Sequence, residues 1–409
     1  MLCRFSFSNF RSYRSETMLD FRAVAENSEH RESLIDGEFL PVNVIYGQNG
    51  GGKSNVLKAL MCLMYTVLKP IRETHTILVD DHGPLTVVHC DPFLFDPAAG
   101  EEPTEFLLYF RTETTPEDKQ RGVYEYCYYL SLLKGEVVSE SLERRKPKSR
   151  PALLFSRENG SITLGAGLPK KISTSVNAKL PYFSFLCMNT AVPSIQAAQK
   201  WFESCLLLDY GIPQINSLLI VPDAADERDQ FIRNLNACGI DAADYRIEET
   251  QKGTKIYLSH SVNGRSFELD LEDESAGTQK LFSALGPVIL ALREGRLLVM
   301  DELDAKLHPK LLRYVLSLFT SPEINAKGAQ LLFTSHDMYT LKSSVFRRDE
   351  IWFASVNDQR ESELYSLSSI RDENNDRIRT SAAYDKQYME GRYGADPYFQ
   401  VFVEDGGWK

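Results

Sequence analysis

A glycine-rich stretch near the start of the chain has the spacing of a phosphate-binding loop. Residues 47–54 read Gly-Gln-Asn-Gly-Gly-Gly-Lys-Ser, the pattern G-x-x-x-x-G-K-S. Its glycines allow backbone N–H groups to converge on a phosphate, because no Cβ intervenes and a positive φ costs little. Lys53 offers a positive charge for the β- and γ-phosphates, and the hydroxyl of Ser54 suits Mg²⁺. We therefore predict a site for ATP and Mg²⁺, lined by Gly47, Asn49, Gly50, Gly52, Lys53, Ser54 and Asn55.

Two carboxylates and a histidine follow apolar runs in the second half of the chain. Asp301 and Glu302 come directly after residues 297–300, and His336 comes shortly after residues 330–334. In a parallel sheet, the carboxyl ends of the strands face the ligand crevice. We predict that Asp301 orients Mg²⁺ and that Glu302 accepts the proton of an attacking water. A neutral imidazole at His336 can donate a hydrogen bond to the γ-phosphate. The carboxylates alone would be explained by a strand that reaches solvent, and the histidine alone by a structural residue, but the glycine loop, the carboxylates and the histidine together favour one site.

The spacing of apolar and turn residues predicts the elements that must position these groups. Residues 42–46 predict a buried strand that runs into the glycine loop. The helical pattern that follows the loop is predicted to stop at Pro70. Alternating apolar residues predict two strands within residues 1–25. A β-rich, antiparallel region is then predicted, with strands at 85–88, 104–111, 123–133, 136–140, 153–156 and 161–164.

The pattern changes in the middle of the chain. Residues 184–245 are predicted to form a compact, mainly helical insertion, and residues 1–183 and 246–409 are predicted to form one head. After the insertion, Asn263-Gly264 is a typical turn of a β-hairpin. The predicted helices of these parts are 195–208, 226–238, 281–293 and 310–319, and the predicted strands are 217–221, 255–260 and 266–271.

Composition limits the class of protein. The chain has 409 residues, of which 43% are hydrophobic and 25% charged, as is usual for a globular protein and not for a disordered one. The formal net charge of −11 argues against a protein that coats nucleic acid with its whole surface. One basic run is an exception, and it is interpreted either as a solvated loop or as a nucleic-acid contact. Its members are Arg144, Arg145, Lys146, Lys148 and Arg150.

Cysteine use and hydropathy bear on location. The seven cysteines form no C-x-x-C pair and are odd in number, which is typical of the reduced thiols of a cytoplasmic protein. The longest apolar run, residues 59–68, has about half the length of a membrane span. We therefore expect a cytoplasmic protein without membrane contact, and we interpret this run as the buried helix behind the glycine loop.

Taken together, the motifs resemble those of ABC-type ATPases of the SMC/RecF-like class, and within it the prokaryotic anti-phage defence ATPases of the RloA and OLD type. Residues 47–54 correspond to Walker A, residues 297–302 to Walker B and His336 to the switch histidine. Residues 274–278, Glu-Ser-Ala-Gly-Thr, resemble the signature segment but depart from Leu-Ser-Gly-Gly-Gln. The resemblance implies an α/β ATPase head with a mixed sheet, an antiparallel β subdomain and a compact helical insertion.

The resemblance also implies how the nucleotide is held. Ser275 and Gly277 of one subunit would cap the γ-phosphate bound to the other subunit, so that ATP joins two copies in a head-to-head dimer. Asp304 in the D-loop and Arg11 in a base-side segment would contribute further nucleotide contacts. The family's Q-loop glutamine has no clear counterpart, and residues 89–93 are interpreted as holding its place. Residues 388–394 resemble a C-terminal stretch of the RloA-like group, with no role implied.

From this resemblance we expect an ATPase that acts as a sensor or regulator for a separately encoded effector, a nuclease, in bacterial anti-phage defence. OLD-type proteins carry a TOPRIM nuclease after the ATPase, and the 73 residues that follow His336 are too few for one. Two alternatives stay open. One is a RecF/SMC-like ATPase that binds DNA during repair, and the other is a slowly hydrolysing scaffold that ATP locks in place.

Overall fold

A computed structural model describes residues 1–74, 87–118, 121–208, 225–250, 253–372 and 375–395. Its strands are β1 (Leu2–Ser8), β2 (Thr17–Asp20), β3 (Val42–Gly47), β4 (Thr104–Glu113), β5 (Val123–Leu133), β6 (Glu136–Arg145), β7 (Ala152–Glu158), β8 (Ser161–Leu164), β9 (Leu206–Leu208), β10 (Asp244–Thr250), β11 (Gly253–Val262), β12 (Arg265–Asp270), β13 (Leu297–Met300), β14 (Gln330–Thr334), β15 (Ile351–Val356) and β16 (Ser362–Ser366). Its α-helices are α1 (Lys53–Thr74), α2 (Tyr182–Asn189), α3 (Pro193–Ser204), α4 (Ala225–Ala237), α5 (Ala276–Glu294), α6 (Pro309–Thr320) and α7 (Tyr384–Met389).

A six-stranded mixed sheet holds the glycine loop. Its strand order is β16-β15-β3-β14-β13-β9, and all neighbouring pairs are parallel except β15 with β16. Every residue of β3, β13 and β14 is buried. Such continuous burial is typical of parallel strands that are covered on both faces. The strands predicted at 42–46, 297–300 and 330–334 are therefore confirmed.

A seven-stranded antiparallel sheet forms the second layer, in the order β2-β1-β4-β5-β6-β7-β8. It confirms the antiparallel β-rich region, and β5 and β8 have the predicted bounds. Strand β6 runs further than predicted, to Arg145, because it stays paired with both β5 and β7. The strand predicted at 85–88 lies in part outside the described residues, and residues 87–88 are not in a strand.

Helix α1 lies between the two sheets, in one core that contains residues of both. Its buried face shares this core with Ile45 and Leu332 of the mixed sheet and Phe106 of the antiparallel sheet. The prediction that the helix stops at Pro70 was wrong, since α1 continues to Thr74. Pro70 lies just before the last turn, where the missing N–H removes one backbone hydrogen bond and the buried Ile71 still anchors the chain.

The segment predicted as an insertion contains elements of the two layers. Helices α2 and α3 share the core of α1 and the antiparallel sheet, and Trp201 of α3 stacks on Phe110 at a ring-centroid distance of 4.2 Å. The helix predicted at 195–208 ends at Ser204, and Leu206–Leu208 pairs with β13 as the edge strand of the mixed sheet. A strand of three residues is too short to show an alternating pattern in the sequence. The strand predicted at 217–221 lies outside the described residues, and the domain boundary at 184–245 stays a prediction.

A third unit consists of the sheet β10-β11-β12 with helices α4 and α5 packed on it. Its hairpin turn has φ of 51° at Asn263 and 74° at Gly264, so the predicted Asn-Gly turn is confirmed. Helix α5 begins five residues before the predicted 281–293 and ends at Gly295, whose φ is 70°. Among the described residues, none of the helices is both long and apolar enough to cross a lipid bilayer.

Candidate nucleotide-binding site

The glycine loop joins the end of β3 to the start of α1. Gly47, Gly50 and Gly52 have φ of 147°, 77° and 101°, a region that residues with a side chain rarely adopt. A Cβ added at Gly47 would lie 2.1 Å from the carbonyl oxygen of Ala354, and one at Gly52 would lie 2.5 Å from the Oγ of Ser362. Backbone conformation and the close approach of β15 and β16 therefore both require glycine at these positions.

Lys53 is the first residue of α1 and folds back over the loop. Its Nζ donates hydrogen bonds to the carbonyl oxygens of Gly47 at 3.0 Å and Gln48 at 3.1 Å. The side chain is 6% exposed. Burial lowers the pKa of Lys53, and the negative charges of Asp301 and Glu302 oppose this shift. The ammonium group and the N-terminal end of α1 together form a concentrated positive region at the loop.

The N-terminal segment supports the loop from the side. Asn55 Nδ2 donates to the Oγ of Ser12 at 2.8 Å, and the Oγ of Ser362 donates to the same Ser12 oxygen at 2.8 Å. The hydroxyl of buried Tyr13 donates to the carbonyl oxygen of Gly52 at 3.3 Å. The side chain of Asn55, which is predicted to line the nucleotide site, is therefore hydrogen-bonded to the N-terminal segment. The predicted loop residues Asn49 and Gly50 are exposed, and Ser54 is half-buried.

Arg11 lies in the same segment but is bound to a neighbouring loop. Its backbone N–H donates to the carbonyl oxygen of Asp91 at 2.8 Å, and its guanidinium lies 3.5 Å from the Asp91 carboxylate. The backbone N–H of Phe93 donates to Asn9 Oδ1 at 3.1 Å. Residues 89–93, interpreted as holding the place of the Q-loop, are therefore tied to this segment. A contact between Arg11 and a nucleotide base stays a prediction.

The two carboxylates form a turn that is fixed by a buried threonine on the next strand. The hydroxyl of Thr334 donates to Asp301 Oδ1 at 2.5 Å and accepts the backbone N–H of Glu302 at 2.7 Å. Glu302 has a φ of 48°, in the left-handed region. A side-chain residue persists there when its surroundings hold it in place, and such strain clusters at functional sites. Asp301 is half-buried, and the side chain of Glu302 is exposed.

His336 lies beside the carboxylate turn. Its backbone N–H donates to Asp304 Oδ2 at 2.9 Å. Partial burial and then the positive charge of Lys53 lower the pKa of His336, while Asp304, Glu302 and Asp301 oppose the shift. The lowered pKa favours the neutral imidazole near pH 7, which carries one N–H donor and one acceptor nitrogen.

The parallel register brings these groups to one edge of the mixed sheet. Met300 is paired with Phe333, and Thr334 is paired with Ile45. The residues that follow β13, β14 and β3 therefore leave the sheet side by side, at the carboxyl edge. The structure thus places Lys53, Asp301 and His336 together, as their order in the sequence predicts.

The signature-like segment begins helix α5. Ser275 is the N-cap, and its Oγ accepts the backbone N–H of Thr278 at 3.1 Å. The Ser275 side chain is exposed. Gly277 lies next to the D-loop side of the carboxylate turn, since a Cβ added there would be 3.3 Å from the carbonyl oxygen of Lys306. The N-terminal end of α5 is therefore an open group of N–H donors at the rim of the site.

Two residues of the site were missed in the sequence. Thr334 is the last residue of an otherwise apolar buried strand, and a polar residue at such a position is a usable signal. Lys280 is 4% exposed, and its Nζ donates to the carbonyl oxygen of Glu302 at 3.2 Å. A lysine that opens the apolar run of α5 is a similar signal. Burial lowers the pKa of Lys280 to about 8, while Asp304 and Glu302 oppose the shift.

The donor set fits magnesium with a nucleotide. Ser54 supplies a hydroxyl and Asp301 a carboxylate, and Mg²⁺ takes such oxygen ligands together with phosphate oxygens and water. Thr334 holds the Asp301 carboxylate in the manner of an outer-shell partner. Within the described ranges, no group of three or more His, Cys, Asp and Glu residues is arranged to hold a metal ion by itself. Ser54 and Asp301 provide two ligands, so a magnesium ion held by them would take its other ligands from the triphosphate and water.

Two family models match the chain. Residues 169–342 match the model described as "AAA domain, putative AbiEii toxin, Type IV TA system", and residues 4–187 match the model described as "AAA domain". No protein with a curated description matches the chain. Both models describe AAA domains, and together with the geometry of the loop and the carboxylate turn they support ATP binding and ATPase activity.

Among solved structures, the chain is similar to an Smc head bound to the C-winged helix domain of ScpA. The identity is 14%, the match covers 90% of this chain and 98% of that chain, and the TM-score is 0.39. It is also similar to the recombination mediator protein RecF with ATP, of the RecFOR pathway. There the identity is 12%, the coverage is 90% and 99%, and the TM-score is 0.34.

Proposed function

We propose that this chain binds ATP with Mg²⁺ and hydrolyses it at the carboxyl edge of the mixed sheet. The observation that carries the proposal is the meeting of Lys53, Asp301 and His336 at the ends of three neighbouring parallel strands. A chance glycine turn would have no reason to lie beside a carboxylate pair and a histidine from residues far along the chain. The two AAA-domain matches point to the same chemistry.

Each group has a part in the reaction. Lys53 and the N-terminal end of α1 neutralise the β- and γ-phosphates. The exposed carboxylate of Glu302 accepts the proton of the attacking water, and neutral His336 donates a hydrogen bond to the γ-phosphate. Ser54 and Asp301 would hold Mg²⁺, which when bound would neutralise charge on the phosphate oxygens. Because nothing covalent forms with the protein, catalysis depends on positioning and charge.

We also propose that ATP joins two copies of the chain. The exposed Ser275 and the nearby Gly277 offer a hydroxyl and N–H donors at the N-terminal end of α5. Such an end binds an anion, and the γ-phosphate held by a second copy has the charge and the location that the SMC/RecF-like resemblance implies. ATP would then hold two heads together until hydrolysis.

The test uses Glu302→Gln, which keeps the shape of the side chain but removes the base. We expect phosphate release to fall at least about 100-fold while ATP binding is retained. With Mg²⁺ and ATP, light scattering should give twice the mass of one chain. Adding Ser275→Arg to the same variant provides the control, because it should block the dimer and leave binding at Lys53. A Glu302→Gln protein that stays monomeric with ATP would exclude the dimer, and one that still hydrolyses ATP would exclude the role of Glu302.

We propose further that the ATPase is a cytoplasmic regulator of a separately encoded effector, a nuclease, in anti-phage defence. Its support is the RloA/OLD-like resemblance, and one matching family is described as a toxin of a toxin–antitoxin system. All seven cysteines are free, which agrees with a reducing compartment. The test is co-purification with the product of a neighbouring gene, with and without ATP, from the Glu302→Gln variant. If the neighbouring protein co-purifies only with ATP, the proposal is supported. If it co-purifies equally with and without ATP, control by the nucleotide is contradicted.

A scaffold that ATP locks in place uses the same residues and differs in rate. Rapid-mixing measurements separate the two: a switch releases phosphate from the first and later turnovers at similar rates. A locked scaffold would release it once and then stay with bound nucleotide.

A further inference from the structure

Helix α5 connects two different parts of the site. Ser275 is the N-cap of α5, and in the proposed dimer it contacts the ATP that is bound to the partner chain. Five residues later, still on α5, Lys280 is buried and points its ammonium group to the carbonyl oxygen of Glu302 at 3.2 Å. The helix that would contact the partner's nucleotide therefore also holds the backbone of this chain's own Glu302.

Glu302 is held from both sides of its backbone. Its N–H is bound by the hydroxyl of Thr334, on strand β14, and its C=O is bound by Lys280, on α5. Between these two contacts lies the left-handed φ of 48°. Thr334 is fixed within the mixed sheet. Helix α5 packs on the core of that sheet through Leu281 and Ala284, and on the β10-β11-β12 sheet through Phe282 and Leu285. A shift of α5 along the mixed sheet would turn Glu302 about a fixed N–H.

We propose that Lys280 is a positioning residue that couples the two ATP sites of the dimer, by setting the orientation of Glu302 according to the position of α5. The inference rests on the proposed function. When the partner's γ-phosphate is bound at Ser275, α5 is drawn to one position, and Lys280 transmits that position to the carboxylate turn. Glu302 is then aligned with the attacking water only while both sites are filled.

The charges around Lys280 fit this role. Asp304, Glu302 and Asp301 favour its ammonium form, and Lys306 opposes it. Burial lowers the pKa of Lys280 to about 8, so the group still carries its proton at pH 7 and can donate to the carbonyl oxygen. A neutral side chain of similar length would fill the same space without the donor, which makes methionine the natural test substitution.

The first experiment compares Lys280→Met, Lys280→Arg and the control Lys179→Met, in which an exposed lysine is removed. We expect ATP affinity and the ATP-dependent dimer to stay within about twofold of the unmodified chain for all three. The single-turnover rate of the dimer should fall about 30-fold in Lys280→Met, recover in part in Lys280→Arg and stay unchanged in Lys179→Met. A Lys280→Met dimer that hydrolyses at the normal rate would overturn the inference.

A mixing experiment separates coupling from simple loss of stability. In a mixed dimer of Ser275→Ala and Glu302→Gln, one site keeps an intact Glu302 and an intact partner serine. The chain that supplies this Glu302 lacks its own serine for the other nucleotide, so the coupling predicts that activity stays low, and activity that returns would contradict it. Mixing Lys280→Met with Glu302→Gln should give no recovery, because Lys280 acts on the Glu302 of its own chain. Recovery in the second mixture would contradict the proposal. If Lys280→Met does not fold, the same mixture made with Lys280→Gln answers the question.

The outcomes also separate this inference from the proposed function. If the unmodified chain neither dimerises with ATP nor hydrolyses it, the proposed function fails, whatever Lys280 does. If the unmodified chain does both and the Lys280 variants behave like Lys179→Met, only the coupling through Lys280 fails.

Discussion

The side chain of Thr334 fixes two residues of the proposed site. It is fully buried, and its single hydroxyl both donates to the Asp301 carboxylate and accepts the Glu302 N–H. The proposed metal ligand and the proposed general base therefore depend on one oxygen atom. Outer-shell contacts of this kind orient metal ligands, and their loss weakens metal binding or activity by about 10–100-fold.

Thr334→Val tests this dependence, because it removes the hydroxyl and keeps the shape. We expect the Mg²⁺ concentration that supports half-maximal ATP hydrolysis to rise at least about tenfold. The partly buried N–H of Glu302 would also lose its partner, at a cost of about 1 kcal/mol. Thr334→Ser keeps the oxygen and serves as the control. A valine variant with the same Mg²⁺ dependence as the unmodified chain would show that Thr334 does not act on the metal site.

At the scale of elements, helix α2 depends on a residue from another element. Its N-cap, Pro181, provides no side-chain cap, and Glu140 of β6 instead accepts the N–H groups of Tyr182 at 2.6 Å and Phe183 at 2.8 Å. The hydroxyl of Tyr128 also donates to Glu140, at 2.9 Å. Burial raises the pKa of Glu140 from 4.5 to about 7, and these hydrogen bonds oppose the shift.

The raised pKa makes stability depend on pH. The folded state keeps the proton on Glu140 up to about pH 7, whereas the unfolded chain releases it near pH 4.5. The stabilisation is therefore complete below pH 4.5 and is lost as the pH rises through 7, by about 3 kcal/mol. Glu140→Gln does not titrate, so the difference in unfolding free energy between the two proteins should shrink from pH 5 to pH 8. Urea unfolding measures it, and a difference that stays constant over this range would contradict the raised pKa.

Elements with local signals were predictable from the sequence. The strand, loop and helix around Lys53 follow from an apolar run, a glycine pattern and helical spacing, and the hairpin at Asn263 follows from its turn residues. Contacts between residues that only folding brings together could not be predicted from the sequence. The cap of α2 by Glu140, the contact of Lys280 with Glu302 and the pairing of β9 with β13 join residues that no periodicity connects. The Walker-type residues could be predicted to lie at one edge of the sheet because each follows a strand of its own.

At the scale of the whole molecule, the charge distribution argues against a general nucleic-acid surface. Arg144 lies 2.9 Å from the Asp118 carboxylate, and Arg145 pairs with Glu125, which is 3% exposed. Arg144 is therefore neutralised, and Arg145 is held by a carboxylate that it shares with Arg22 and Arg111. With a net charge of −11, it is mainly the end of the run that is left to attract phosphates.

We therefore predict weak duplex DNA binding, with a dissociation constant above about 1 μM at physiological salt. Changing Lys146, Lys148 and Arg150 together to glutamate should weaken this binding further, since these residues carry the charges that are left to contact phosphates. Fluorescence anisotropy with Glu302→Gln and ATP is the measurement. Tight binding that this triple variant abolishes would favour the DNA-repair alternative over regulation of an effector.

The contacts of Gly47 with Ala354 and of Gly52 with Ser362 have a consequence for synthesis in the cell. At about 5–20 residues per second, a ribosome makes the glycine loop tens of seconds before the roughly 300 later residues that bring β15 and β16 against it. A nascent chain therefore displays the motif long before it has a pocket. The carboxylates, the histidine and the covering strands join the loop only late in translation, so the complete site is assembled when nearly all of the described chain has been made.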